Sequence, residues 1–227
     1  MRVLAIDTAL AACAAAVLDT SYDSIVARAV VPMVRGHAEA LMPLLKRVME
    51  EGGLGFADID RIAVTTGPGS FTGLRVGIAA ARAIALAAER PAFGVSTLEA
   101  YAAPHLAGDD KIPVIAAIDA RHEHVYLQVF GIGGRTATRP RLASLSDAVG
   151  AAANGACRIV GSAARAVAAR LSATDPGPAL VEERDAPDIA WVARLGAIAA
   201  ETESPPKPQY LRAPDAQPQN ASQLPRR

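Results

Sequence analysis

The sequence predicts an α/β protein of two similar halves with mixed sheets, each half running strand, strand, strand, helix, strand, helix. Three observations carry this. The run Val3-Leu4-Ala5-Ile6-Asp7 reads as a buried strand ending in a carboxylate. Val114-Ile115-Ala116-Ala117-Ile118-Asp119 repeats it, carboxylate included, and similar elements follow each run in the same order. Finally, three glycines and a proline fall within the seven residues 67–73, which describes a tight strand-to-helix turn.

After the first strand, β-like runs at about 11–18 and 24–31 precede an amphipathic helix at about 37–51, with Leu41, Leu44, Leu45, Val48 and Met49 on one side. Gly52-Gly53 ends that helix. A strand at about 61–66 leads into the glycine-rich turn, a helical pattern covers 74–88, and a short strand near 92–95 precedes a helix from about 97. In the second half, strand-like runs at about 123–131 and 136–143, a helix at about 146–153, a strand at 157–161 and a helix at 162–171 complete the order. Two such halves make the duplicated fold of actin-like ATPases and sugar kinases. The expected organisation is a first half over 1–110, a second over 111–187, a helix at 188–203 packing back on the first half, and a Pro-rich tail at 204–227. The last helix carries Ile189, Trp191, Val192, Leu195 and Ile198. The tail, with six prolines, is expected to be ordered only where it docks.

Half of the 227 residues are apolar, enough for a full core, and alanine rather than aromatic residues fills it. The formal net charge is zero, which excludes a global basic field for nucleic acid. Arg135, Arg139, Arg141, Arg226 and Arg227 offer only local contacts. Cys13 and Cys157 lie far apart, outside any Cys-x-x-Cys, and read as buried free thiols of a reducing compartment. Asp7 interrupts the N-terminal apolar run, against a signal peptide. Arg75, Arg82 and Glu89 break the best candidate for a membrane span. A cytoplasmic protein without membrane contact is expected.

The main candidate site is the turn Gly67-Pro68-Gly69-Ser70-Phe71-Thr72-Gly73, with Arg75 just beyond it. Its backbone N–H groups can hold an anion, or the glycines can let the next helix pack closely on the sheet. Leu74 stands where a P-loop has lysine, and Thr72 where a dinucleotide fingerprint has its last glycine. Pro68 and Thr72 flank Ser70 where a nucleophile elbow needs glycines. Nucleotide-binding members of the duplicated fold follow each first-strand Asp with a glycine-containing hairpin. Here Asp7 precedes Thr8-Ala9-Leu10 and Asp119 precedes Ala120-Arg121-His122, with no glycine in either. The two aspartates either share a metal across the cleft or cap turns. His37 reads as a capping or packing residue at a helix start. His122 and His124 flank Glu123 and would share a strand face, which is two ligands without a third. No catalytic residue, metal or cofactor is assigned.

Gly73, Gly77, Ala81 and Ala85 recur every fourth residue as a small-residue stripe, open either to a partner helix or to the domain's own sheet. With Leu41, Met42 and Leu45 of the neighbouring helix they are the candidate residues of a helix-mediated interface.

The segment Gly-Pro-Gly-Ser-Phe-Thr-Gly-Leu-Arg-Val-Gly at 67–77 resembles the signature of the bacterial TsaB (YeaZ) family. Further segments match: Leu4-Ala5-Ile6-Asp7-Thr8, Arg35-Gly36-His37-Ala38-Glu39 before Leu41-Met42-Pro43, and Asp119-Ala120-Arg121 before Val125-Tyr126. Pro208-Gln209-Tyr210-Leu211-Arg212 matches a C-terminal one, so the resemblance covers nearly the whole chain. It implies an actin-like fold and a non-catalytic subunit that pairs with the related enzyme TsaD. With TsaE and TsaC, that pair installs threonylcarbamoyladenosine beside the anticodon of tRNAs that read ANN codons. The tRNA is reached indirectly, through the complex, and a homodimer is expected when the partner is absent. TsaD relatives carry a His-x-x-x-His metal pair after the Gly-rich helix. Aligned through the preceding strand, Thr97 and Tyr101 stand there, and neither is a good ligand. Many relatives have serine where this chain has Ala38. Two other functions stay open on the residues. One is a small-molecule kinase or ATPase built on Asp7, Asp119 and the turn. The other is a metallopeptidase using His37, His122 or His124.

Overall fold

A strand whose side chains are apolar on both sides has to be covered on both faces. Strand β1 (Arg2–Asp7) is such a strand, and it lies at the centre of a five-stranded sheet. Its neighbours are β2 (Ala12–Asp19), β3 (Ser24–Pro32), β4 (Arg61–Gly67) and β5 (Ala92–Ser96), in the order β3-β2-β1-β4-β5. The pairs of β2 are antiparallel and those of β4 parallel. A second sheet repeats the plan around β6 (Val114–Asp119), with β7 (His124–Phe130), β8 (Arg141–Ser144), β9 (Arg158–Val160) and β10 (Leu180–Glu182) in the order β10-β9-β6-β7-β8. This is the duplicated actin-like fold. The structure is a computed structural model, and it describes residues 1–108, 111–172, 177–200 and 204–212.

Alternation along each central strand assigns its helices. Leu4 and Ile6 pack with Leu41, Leu45 and Val48 of α1 (His37–Glu51) and with Leu74 and Ile78 of α2 (Phe71–Ala88). Val3 and Ala5 face the other way, against Ile189, Val192 and Ala193 of α6 (Ile189–Ile198). In the second sheet, Ile115 and Ala117 face α4 (Leu145–Ala152) and α5 (Ala164–Ala168). Val114, Ala116 and Ile118 face Leu98, Tyr101 and Ala102 of α3 (Thr97–Gly108). The last helix of each half therefore covers the sheet of the other. The α6 contact is close: a Cβ at Gly196 would overlap Ala63 of β4. Arg61 donates to the carbonyls of Ala197 and Ala199, at 3.2 and 2.9 Å, where that helix ends.

Several elements differ from the sequence expectation. The second half has a fifth strand, β10, whose three residues are too short a run to show a period. The strand expected at 136–143 is β8 from Arg141, because Gly133 and Gly134, at φ 74° and 66°, turn the chain after Phe130. Helix α5 is a single turn and a half rather than 162–171. Helix α2 begins at Phe71, not Leu74, because Ser70 caps it. Helix α6 ends at Ile198, and residues 201–203 of the helix expected over 188–203 lie outside the described residues. So does the expected tail beyond 212, Arg226 and Arg227 included. Among the described residues, α2 is long and apolar enough to cross a membrane by length and composition, but its inner face is packed on the first sheet.

Candidate functional site

Strand β4 ends at Gly67, the Gly67–Pro68 bond is cis, and α2 starts four residues later. Ser70 Oγ accepts the Gly73 N–H at 3.3 Å, and the Ser70 N–H donates to the Ala9 carbonyl at 2.7 Å. Thr8 Oγ1 donates to the Gly73 carbonyl at 2.7 Å. The β1–β2 hairpin thus lies directly on the turn. A Cβ at Gly69 would overlap the Ala9 carbonyl oxygen, one at Gly73 the Thr8 carbonyl oxygen, and one at Gly77 the Thr8 hydroxyl. Close approach of backbone is what these glycines allow. The amides of Ser70 and Gly73 are satisfied within the chain, in keeping with the close-packing alternative for this turn.

The small-residue stripe is turned inward, toward the domain's own sheet, the second of its two readings. Gly73, Gly77, Ala81 and Ala85 are buried, and so are Leu41 and Leu45. At Gly73 and Gly77 the physical reason is Thr8, whose backbone and hydroxyl take the room that larger side chains would need; Ala81 and Ala85 continue the same face into the core beneath. Of the expected interface residues only Met42 is exposed. The outward face of the two helices is a different set: Met42, Ala80, Ala83 and Ala87, together with Phe56 of the short turn Phe56–Asp58, border an apolar hollow of about 520 Å³.

A second cavity, of about 380 Å³, lies between the halves. Gly69, Ser70 and Phe71 wall it from the first half, and Asp119, Arg121 and Tyr126 from the second. Tyr210, Leu211 and Arg212 form a third wall. The Arg75 guanidinium lies 3.7 Å from the Phe71 ring centre and donates its Nε–H to the Tyr210 hydroxyl at 3.0 Å. The Phe71 and Tyr210 rings are 5.0 Å apart. Sequence reasoning named these three residues in two separate motifs and did not join them. The available signal was an aromatic residue within a polar, proline-rich segment.

The aspartates at the strand ends act in turns. Asp7 is fully buried; its Oδ1 accepts from the Ala9 N–H at 2.9 Å and the Thr65 hydroxyl at 2.6 Å, while Oδ2 has no hydrogen-bond partner. Burial pushes the Asp7 carboxyl above its usual range, against the Thr65 and Ala9 hydrogen bonds and the nearby His37. Burial also pushes the Cys13 thiol up to about 11. Asp119 is exposed and accepts the Arg121 N–H at 2.8 Å. His37 is buried, with Nε2 3.1 Å from the Leu10 carbonyl, and Gly36 caps its helix. The His124 ring rests on the His122 carbonyl at 2.6 Å. Among the described residues no three His, Cys, Asp or Glu side chains gather to hold a metal ion.

The metal pair of the TsaD relatives does not fit, and the glycines of the turn seat the hairpin: Thr8 and Ala9 lie against Gly73 and Gly69, and Ala9 takes the Ser70 amide. At the positions of the TsaD metal pair, Thr97 is buried, and the Tyr101 hydroxyl donates to the Arg184 carbonyl at 2.9 Å. Burial holds that phenol well above its usual range, so it offers no phenolate to a cation.

Fold and site together define an actin-like protein in which the β1–β2 hairpin is packed on the glycine-rich turn. A family model described as TsaD, tRNA N6-adenosine threonylcarbamoyltransferase, matches residues 23–179. The Escherichia coli tRNA threonylcarbamoyladenosine biosynthesis protein TsaB is 40% identical over 56% of this chain and 53% of its own length. A tRNA N6-adenosine threonylcarbamoyltransferase of Erythrobacter litoralis is 36% identical over 58% of this chain and 39% of its own length. The chain thus spans about half, or less, of the length of these two relatives. An uncharacterized Mycobacterium tuberculosis protein is 33% identical over 95% of this chain and 94% of its own. The solved YeaZ from Pseudomonas aeruginosa superposes with a TM-score of 0.74 at 26% identity, covering 92% of this chain and 99% of that one. The chain belongs to the TsaD family of tRNA threonylcarbamoyladenosine biosynthesis proteins, in its TsaB/YeaZ branch.

Proposed function

We propose that this chain is a non-catalytic subunit that pairs with a TsaD enzyme in the threonylcarbamoylation of tRNA adenosine. TsaE joins the larger complex, and tRNA is reached through the assembly. The observation that carries this reading is the packing of Thr8 and Ala9 against Gly69, Gly73 and Gly77. That packing uses the glycines to seat the hairpin rather than to hold an anion, and Thr97 and Tyr101 offer no histidine pair for a metal. A chain of this fold without either grip still offers its helices. The outward face of α1 and α2, with Met42 and Leu86 53% and 83% exposed, is the docking face for TsaD. The same face joins two copies when the enzyme is absent.

Reconstitution tests this. Threonylcarbamoyl transfer to tRNA is measured with TsaD, TsaE and a TsaC-type enzyme, with and without this chain. Transfer that depends on the chain, together with no turnover by the chain alone, is the expected result. Equal transfer without it would sink the reading. Calorimetric heat with ATP and magnesium would favour a kinase or ATPase instead.

A further inference from the structure

The C-terminal segment over 204–212 joins the two halves. In the first half, the pairing of β4 and β5 shifts register between Thr65 and Gly67. A bulge of this kind leaves a residue out of the ladder. The carbonyl of Thr66, at that shift, accepts the Gln209 N–H at 2.7 Å. Tyr210 then closes the ring with Phe71 and Arg75 on the first turns of α2. In the second half, Arg212 Nη1 donates to the Ala120 carbonyl at 3.0 Å.

We propose that this segment is a latch that sets how far the halves open around the cavity between them. Tyr210 and Arg212 are two residues apart, so their Cα atoms are at most about 7 Å apart. An anchor on each half cannot persist if the halves separate by more than a few ångströms. Both anchors are stiff. The first belongs to β4 and α2, which are held by the sheet and by Thr8. The second lies at the end of β6, in a turn whose next three residues, Arg121, His122 and Glu123, all take left-handed φ of 63°, 53° and 59°. That turn is tied down: Ala120 N–H donates to His124 O at 2.9 Å, Leu145 N–H to Glu123 O at 2.8 Å, and Glu123 pairs with Arg170. The latch is therefore a short link between two stiff anchors on opposite sides of the cavity, which it also walls. Its release widens that cavity and uncovers the Gly67 face, where a Cβ would stand 2.8 Å from the Gln209 carbonyl.

Spin labels across the halves test this. Glu39 on α1 and Ser146 on α4 are exposed, and Cys13 and Cys157 are buried, so labels on Glu39→Cys and Ser146→Cys report the two bodies. The expected result is a narrow distance distribution in the parent, and a broader or longer one with Tyr210→Ala and Arg212→Ala together. Amide exchange at Gln209, whose N–H donates to the Thr66 carbonyl, should quicken about fivefold or more, the factor for one lost hydrogen bond, while β1 and β6 stay protected. An unchanged distance distribution overturns the latch. If the double variant does not fold, Arg212→Ala alone removes only the second anchor and is read the same way.

Discussion

Thr8 and the glycines it touches decide the character of the turn. Gly73→Ala forces a Cβ into the Thr8 carbonyl, and overpacking of this kind costs about 1–3 kcal/mol. Gly150→Ala in α4 meets nothing within 4 Å and should stabilise by about 0.5–1 kcal/mol through helix propensity. Urea unfolding of the two variants checks the contrast, and equal effects would remove the packing argument. Asp7 gives a pH prediction. Its folded pKa is raised by burial, so the folded state holds the proton more tightly than the unfolded one. Its contribution is present below the ordinary carboxylate range and is lost as pH rises through the raised value. The thermal midpoint of Asp7→Asn should therefore depend less on pH in that window than that of the parent. The glycine positions were readable in the sequence, but their role was not, because the atom that crowds them belongs to a hairpin some sixty residues earlier.

At the scale of elements, α2 has an inner face of small residues interleaved with Leu74, Ile78 and Ile84, and an outer face that includes Ala83, Leu86 and Ala87. Ala83→Arg lies on the exposed side and should leave stability within about 0.5 kcal/mol. It should abolish association with TsaD and with a second copy, as read by co-purification and sedimentation. Retained association would move the docking face elsewhere. The four-residue spacing of the stripe was plain in the sequence, but the direction it faces was not. Helical period marks which residues share a face, and only the sheet beneath says which face is inside. The end of α2 at Phe71 was likewise hidden until the Ser70 cap was seen, whereas α1 was legible from its apolar side and Gly52.

At the scale of the whole molecule, each half covers the other. Helix α6 closes the first sheet over Val3 and Ala5, and α3 closes the second over Val114, Ala116 and Ile118. A fragment over 1–110 would bare the face that α6 covers and leave α3 without its sheet. It should not fold alone. A well-dispersed amide spectrum of that fragment would contradict this, and restored dispersion on adding 111–227 would support it.

The sequence by itself determined the duplication, the two central strands with their terminal aspartates, and the glycine-rich turn with its family signature. These are local properties: apolar runs, periods and residues that only certain backbones accept. Tertiary structure decided that the stripe faces Thr8, that the last helices change halves, and that Phe71, Arg75 and Tyr210 form one cluster. Each of these joins residues remote in the chain (Arg75 and Tyr210 are 135 apart), where spacing carries no information and only packing brings the atoms together.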